Sequence, residues 1–142
     1  MTTSRKARIV IDPNVYASVL LGGITRQRFI WLLDQLHRFE ICYSEAVLKE
    51  IRHLPEITYF KKKQITSEIV IEFIEGLQQL GLQVVVTSKV KLGRDVNDYF
   101  LLSLSRDARA NFLITGDPDL IEMKNYSSTE IVSLKNFKER FE

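Results

Sequence analysis

The sequence predicts an α/β fold: a three-layer α/β/α sandwich on a central parallel sheet, formed by one domain over residues 1–142. Three observations carry this. Short apolar runs rich in β-branched and aromatic residues alternate with segments of helical periodicity, the order that gives parallel strands joined by right-handed crossovers. The first of those runs is apolar without alternation, as a strand covered on both faces is. Finally, 142 residues with 45% hydrophobic and 27% charged content, 3 Pro, 6 Gly and no biased tract or repeat suit a single hydrophobic core.

The elements follow in order. Ala7–Ile11 (ARIVI) is a strand that stops at Asp12-Pro13-Asn14. Pro13 suits the first position of a helix, Pro13–Leu21, which Gly22-Gly23 ends. A second helix runs from Thr25, with Phe29, Leu32, Leu33 and Leu36 at helical spacing and Trp31 as a packing residue. Phe39–Tyr43 is the second strand, and Ser44 caps a helix over residues 45–54 whose stripe is Val47, Leu48, Ile51 and Leu54. Pro55 closes it. Residues 57–80 are helical in pattern, broken near Gln64 to Ser67, and Gly81 stands where a left-handed cap is wanted. Residues 82–87 form a third strand. The run from Asp95 to Asp98 opens an apolar, central helix; residues 112–115 and 130–133 are strands, and Leu134–Phe141 is a closing helix.

Composition narrows the classes. Twenty Lys and Arg against 18 Asp and Glu give +2, which alone argues against a strongly basic nucleic-acid module. The lone cysteine, Cys42, cannot form an intramolecular bridge and reads as a small buried hydrophobe. The amino-terminal residues carry no long apolar segment, and no run reaches the roughly 18 residues that span a bilayer. A cytoplasmic protein without membrane contact is expected. Cys42, His37 and His53 lack zinc-ligand spacing, and His53 reads as a solvent-facing helix residue.

Two of the three prolines follow an aspartate at the end of an apolar strand, in Ile11-Asp12-Pro13-Asn14 and Thr115-Gly116-Asp117-Pro118-Asp119. In an open parallel sheet the carboxyl ends of the strands share one edge, where ligands bind. Asp12, Asp117 and Asp119 are therefore expected to converge, although each could instead serve only as a helix cap before Pro. Asp95 and Asp98, three apart, could form an acidic capping pair. Glu50 flanks an apolar stripe, between surface and interior. Taken jointly, Asp12, Glu50, Asp98 and Asp117 can meet in such a sandwich. Two carboxylates about 4 Å apart repel by roughly 4 kcal/mol at an effective dielectric of 20, so they protonate, pair or bind a cation. Oxygen-only ligands suit Mg²⁺ or Mn²⁺.

The succession Val-Ile-Asp12-Pro-Asn14-Val, Ser44-Glu-Ala-Val-Leu-Lys-Glu50-Ile, Arg94-Asp95-Val-Asn-Asp98 and Ile-Thr115-Gly-Asp117-Pro-Asp119-Leu resembles the PIN domain, and more narrowly the stand-alone prokaryotic PIN proteins grouped with VapC-like toxins. The resemblance runs from Arg8 to Leu120, and the last strand and helix are similar as well. It implies a metal-dependent endoribonuclease whose catalytic residues are Asp12, Glu50, Asp98 and Asp117. Asp12, Asp98, Asp117 and the accessory Asp119 would be the metal ligands, and Asn14, Thr115 and Asp95 would orient them. It further implies Mg²⁺ or Mn²⁺ as cofactor, RNA as substrate, a cognate antitoxin and a possible homodimer. Pro13 stands where Thr or Ser is common in that family.

Acidic residues do not hold a phosphate backbone. The candidate cations are Arg5-Lys6-Arg8, Arg26 and Arg28, Lys61 to Lys63, Lys89 and Lys91 with Arg94, and Arg106 with Arg109; Arg94 is the preferred phosphate contact. Tyr16 and Tyr99 are candidate stacking residues, though both sit in apolar helices. Setting the five pocket acids aside leaves 13 acidic residues against 20 basic ones, a surplus of seven over the rest of the surface. Two other readings stay open: a non-catalytic RNA-binding or assembly module of the same fold, and a haloacid dehalogenase-like phosphatase. The latter is weakened by Asn14 in place of a second aspartate.

Overall fold

The fold is that of a computed structural model, which describes residues 5–91 and 98–142. The strands are β1 (Ala7–Ile11), β2 (Phe39–Tyr43), β3 (Leu82–Gln83), β4 (Phe112–Ile114), β5 (Asn125–Tyr126) and β6 (Thr129–Val132). The helices are α1 (Pro13–Leu21), α2 (Gly23–Leu33), α3 (Glu45–His53), α4 (Thr58–Lys62), α5 (Ser67–Leu80), α6 (Tyr99–Ala108), α7 (Pro118–Met123) and α8 (Leu134–Phe141). They form the expected three-layer sandwich. The sheet order is β3-β2-β1-β4-β6-β5. Neighbours run parallel except β5, which pairs antiparallel with β6.

Local chemistry explains most boundaries. Pro13 begins α1 with no N–H to lose, and α1 stops at Gly22, whose φ of 96° is open to glycine. Ser44 Oγ accepts from the Val47 N–H at 3.3 Å to cap α3, and Pro55 lies in a 3₁₀ turn over Leu54–Glu56. Thr66 caps α5 in the same way, which is why the helical pattern over residues 57–80 breaks there.

Ile9, Val10 and Ile11 are all buried, so consecutive β1 side chains, which point to opposite faces, both find cover. Tyr16 of α1 meets Phe29 and Phe73 edge-on, with centroids 5.9 and 5.7 Å apart. It belongs to the core and is not a base-stacking surface. A second cluster forms where Phe39 and Phe112, the first residues of β2 and β4, pack on Phe137 of α8 at 5.0 and 5.2 Å. Trp31 joins it at 6.2 Å from Phe137, a packing role as expected. Cys42 is buried too, and burial raises its thiol to about 11. His53 is exposed beside Glu56. Among the described residues no helix is long and apolar enough to cross a membrane.

Three expectations are corrected. The third strand covers only Leu82–Gln83 instead of residues 82–87. Past Val84, whose N–H reaches the Tyr43 carbonyl at 2.8 Å, the backbone leaves the sheet and Val85 is 82% exposed. The Asp107 carboxylate then accepts from the Thr87 and Ser88 N–H groups, and Ser103 Oγ from the Val90 N–H. Gly81 is extended, with φ −108° and ψ 177°, and not left-handed. Glycine is needed there because a Cβ would stand 2.9 Å from the Ile41 carbonyl oxygen and 3.0 Å from that of Leu77. The β5–β6 hairpin makes the sheet mixed, turning at Ser127 with φ 53°.

Candidate functional site

The strand order places β1 between β2 and β4. The chain winds outward from β1 in one direction through β2 and β3, then returns to β4 and continues the other way. The carboxyl ends of β1 and β4 thus flank a topological switch point, where open α/β sheets form ligand crevices. Asp12 directly follows β1, and Thr115 to Asp117 follow β4. The Asp12 N–H extends the ladder to the Ile114 carbonyl at 2.9 Å, which fixes the two segments relative to each other.

Asp12 uses both carboxylate oxygens. Oδ1 accepts from the Asn14 N–H at 2.9 Å, capping α1, and Oδ2 accepts from the Thr115 hydroxyl at 2.8 Å. That hydroxyl in turn accepts from the Asp117 N–H at 3.0 Å. Asp117 Oδ1 accepts from the Asp119 N–H at 2.9 Å, capping α7. Asp12 and Asp117 therefore each cap a helix with one oxygen, as the capping reading expects, and the Thr115 hydroxyl links the two segments. Asp98 differs: it is buried immediately before α6, and its side chain makes no capping hydrogen bond to that helix. Glu50 is exposed on α3.

These four carboxylates line one cavity of about 270 Å³, walled also by Pro13, Asn14, Phe100 and Leu101. Among the described residues, no Lys or Arg lines it. Asp12 feels the concentration of acid. Its burial raises the carboxyl above the usual range, the Asn14 and Thr115 hydrogen bonds lower it, and the charges of Asp117 and Glu50 raise it again. Residues 8–119 match the family described as the PIN domain. The chain belongs to the PIN domain family. No curated protein gives a significant match to it. PIN domains are generally metal-dependent nucleases that use Mg²⁺ or Mn²⁺ and act on RNA or DNA.

In this PIN domain the donor set fits a hard divalent ion. All four side chains offer oxygen, and Asp12 is desolvated and faces like charges, a strain that a cation relieves. Among the described residues, no three His, Cys, Asp or Glu stand close enough to hold one ion together. An ion here would therefore keep much of its water, which is the habit of Mg²⁺. Asp119 does not line the cavity; its backbone, not its carboxylate, supports Asp117. Asn14 lines the rim and Thr115 lies behind it, joining the two Asp-Pro segments. Arg94 and Asp95 lie outside the described residues.

The predicted cations divide by what already occupies them. Arg8 binds the Ala108 carbonyl at 3.0 Å and pairs with Glu40. Arg26 binds the Val19 and Leu20 carbonyls at 3.0 and 2.8 Å, closing the end of α1. Both are structural. Phe100, half-buried at the rim, escaped the sequence reading because it looks like any other apolar residue of α6. Lys135, which lines an adjoining cavity together with Asn14 and Asp117, escaped because it is an isolated lysine outside every basic cluster.

Proposed function

We propose that the chain, as a single domain over residues 1–142, is a Mg²⁺- or Mn²⁺-dependent endoribonuclease hydrolysing RNA phosphodiester bonds. The observation that carries this reading is the meeting of Asp12, Glu50, Asp98 and Asp117, drawn from four separate segments, in one cavity at the switch point with no basic lining residue among the described ones. A fold has no need to gather four acids there. A bound ion supplies a water of lowered pKa and positive charge opposite the scissile phosphate. Asp12, Asp98 and Asp117 would hold that ion directly or through its own water, and Asp119, outside the cavity wall, would be an accessory. Thr115 and Asn14 orient Asp12 through the hydrogen bonds described above. Glu50, the exposed member, stands where it can take up a proton from the attacking water. Asp95 and Arg94 complete the proposal as a positioning group and a phosphate contact.

The motif succession, with its VapC-like character, further supports a toxin of a cytoplasmic toxin-antitoxin system, partnered by a cognate antitoxin and able to form a homodimer. The deciding assay incubates purified protein with RNA in Mn²⁺ and in chelator, alongside Asp98→Asn. Cleavage that needs metal and fails in the variant supports the reading, and cleavage retained in Asp98→Asn overturns it. A second reading, a module that binds RNA without cutting it, draws on one observation: among the described residues no three carboxylates share a single ion position. Binding without cleavage at any metal concentration selects that module.

A further inference from the structure

We propose that a second cavity, beside the acidic one, seats the backbone of a single RNA strand as it leaves the cleavage site, with Arg28 and Lys135 as its phosphate-binding residues. The inference rests on the nuclease reading of the acidic cavity and names the path of its substrate. The second cavity has a volume of about 480 Å³ and shares Asn14 and Asp117 with the first, so the two concavities adjoin. Its walls come from α1, α2, the loop before α7 and the start of α8.

The charge reverses between the two. The acidic cavity has four carboxylates and no cation among the described residues, whereas this one has Arg28 and Lys135 against Asp117 alone at the shared edge. These cations enter from facing helices, α2 and α8, and neither forms an ion pair or hydrogen bond among the described residues. Their neighbours are committed elsewhere: Arg26 holds the end of α1, and Lys138 pairs with Glu142. Two cations without partners, projecting into a concavity that adjoins a phosphodiester site, are placed to receive the phosphates next to the scissile one. Gly116 leaves the rim low, since a Cβ there would meet nothing within 4 Å. Farther along, Arg28 and Lys135 also border a depression of about 240 Å³ that contains Lys138, Glu139 and Glu142.

The test is fluorescence anisotropy with a labelled, cleavage-resistant 2′-O-methyl oligouridylate in Ca²⁺, across a salt series. Arg28→Ala with Lys135→Ala is expected to weaken binding roughly tenfold and to reduce the logarithmic salt slope by about 1.4, the value for two phosphate contacts on a single strand. Arg28→Lys with Lys135→Arg is expected to restore the slope. Lys135 is exposed and Arg28 half-buried, and thermal melting of the double variant checks that it folds. A variant with Lys61, Lys62 and Lys63 changed to Ala is expected to bind as wild type does. The proposal is overturned if the Arg28 and Lys135 variant binds like wild type with an unchanged slope, if the loss follows Lys61 to Lys63 instead, or if wild type does not bind the probe. Cleavage in Mn²⁺ is scored separately. Binding that depends on Arg28 and Lys135 without any cutting keeps the seat and defeats the nuclease; cutting with binding indifferent to both does the reverse.

Discussion

Asp12→Asn separates the two roles of a buried acid in the cavity. Asp12 is 5% exposed, and burial above all raises its carboxyl, opposed by the Asn14 and Thr115 hydrogen bonds and reinforced by Asp117 and Glu50. A carboxyl held above its unfolded value takes up a proton more readily in the folded chain. Its contribution to stability is therefore fully present below the unfolded value, near pH 4, and is lost as pH rises through the folded one. Each tenfold difference in proton affinity between the two states is worth about 1.4 kcal/mol. Asparagine retains an acceptor for the Asn14 N–H and remains a good cap. It removes the charge but deprives the Thr115 proton of its acceptor, at a cost of about 1 kcal/mol. In chelator, the variant should thus gain on wild type as pH rises from about 4 through the raised folded value and keep that gain above it, with about 4 °C in Tm for each kcal/mol. Adding Mn²⁺ to a hundred times its dissociation constant should stabilise wild type by about 2.7 kcal/mol and the variant by much less. Melting curves at four pH values, with and without Mn²⁺, measure both. A constant offset between the proteins at every pH, together with equal metal shifts, would refute the account of Asp12 as a desolvated ligand.

Thr115→Val should cost about 1–3 kcal/mol in chemical denaturation, because it leaves a buried Asp12 oxygen and the Asp117 N–H without their shared hydroxyl; Thr115→Ser should recover most of it. Gly81→Ala should lower stability by roughly 1–3 kcal/mol, since the new Cβ meets two backbone carbonyls that cannot give way; an unchanged denaturation midpoint would contradict this. Asp107 is the opposite of Asp12 in sign. The Ser88 hydroxyl and N–H chiefly hold its carboxyl below the usual range, so its support for residues 87–88 is present at neutral pH and fades as pH falls through that lowered value. Asp107→Ala should speed amide exchange at Thr87 and Ser88 at pH 7, and equal rates in both proteins would count against it. Asp98→Asn in chelator should be neutral or stabilising, because it removes one of the four like charges that line the cavity; a clear loss of Tm would show that its carboxylate holds the fold.

Much of this molecule is legible in its sequence wherever a local rule coincides with the tertiary demand. β1, β2, α1 and the cap at Ser44 follow from apolar runs and from the chemistry of Pro, Gly and Ser, and the two Asp-Pro motifs mark the strand ends that meet at the switch point. The legible signals fail where the partner lies far along the chain. Val84, Val85 and Val86 have strand propensity, yet the segment leaves the edge of β2 for the Asp107 and Ser103 side chains, which lie about twenty residues onward. The role of Gly81 depends on the Ile41 carbonyl, which no local pattern contains. Asp119 has the right neighbours in sequence, but the α7 turn leaves it outside the cavity. Arg26 and Arg28 look alike as residues, and only the exposed carbonyls ending α1 make one structural and leave the other open to a ligand.

The capping geometry of Asp12 and Asp117 has a practical consequence. Each shapes its helix through an oxygen that asparagine also possesses, so exchanging both removes acidity while sparing architecture. A chain altered at these two positions would present the same contours as its parent and lack the reactive charge. It would serve as a faithful decoy, one that retains whatever it grips long enough for that molecule to be recovered and sequenced.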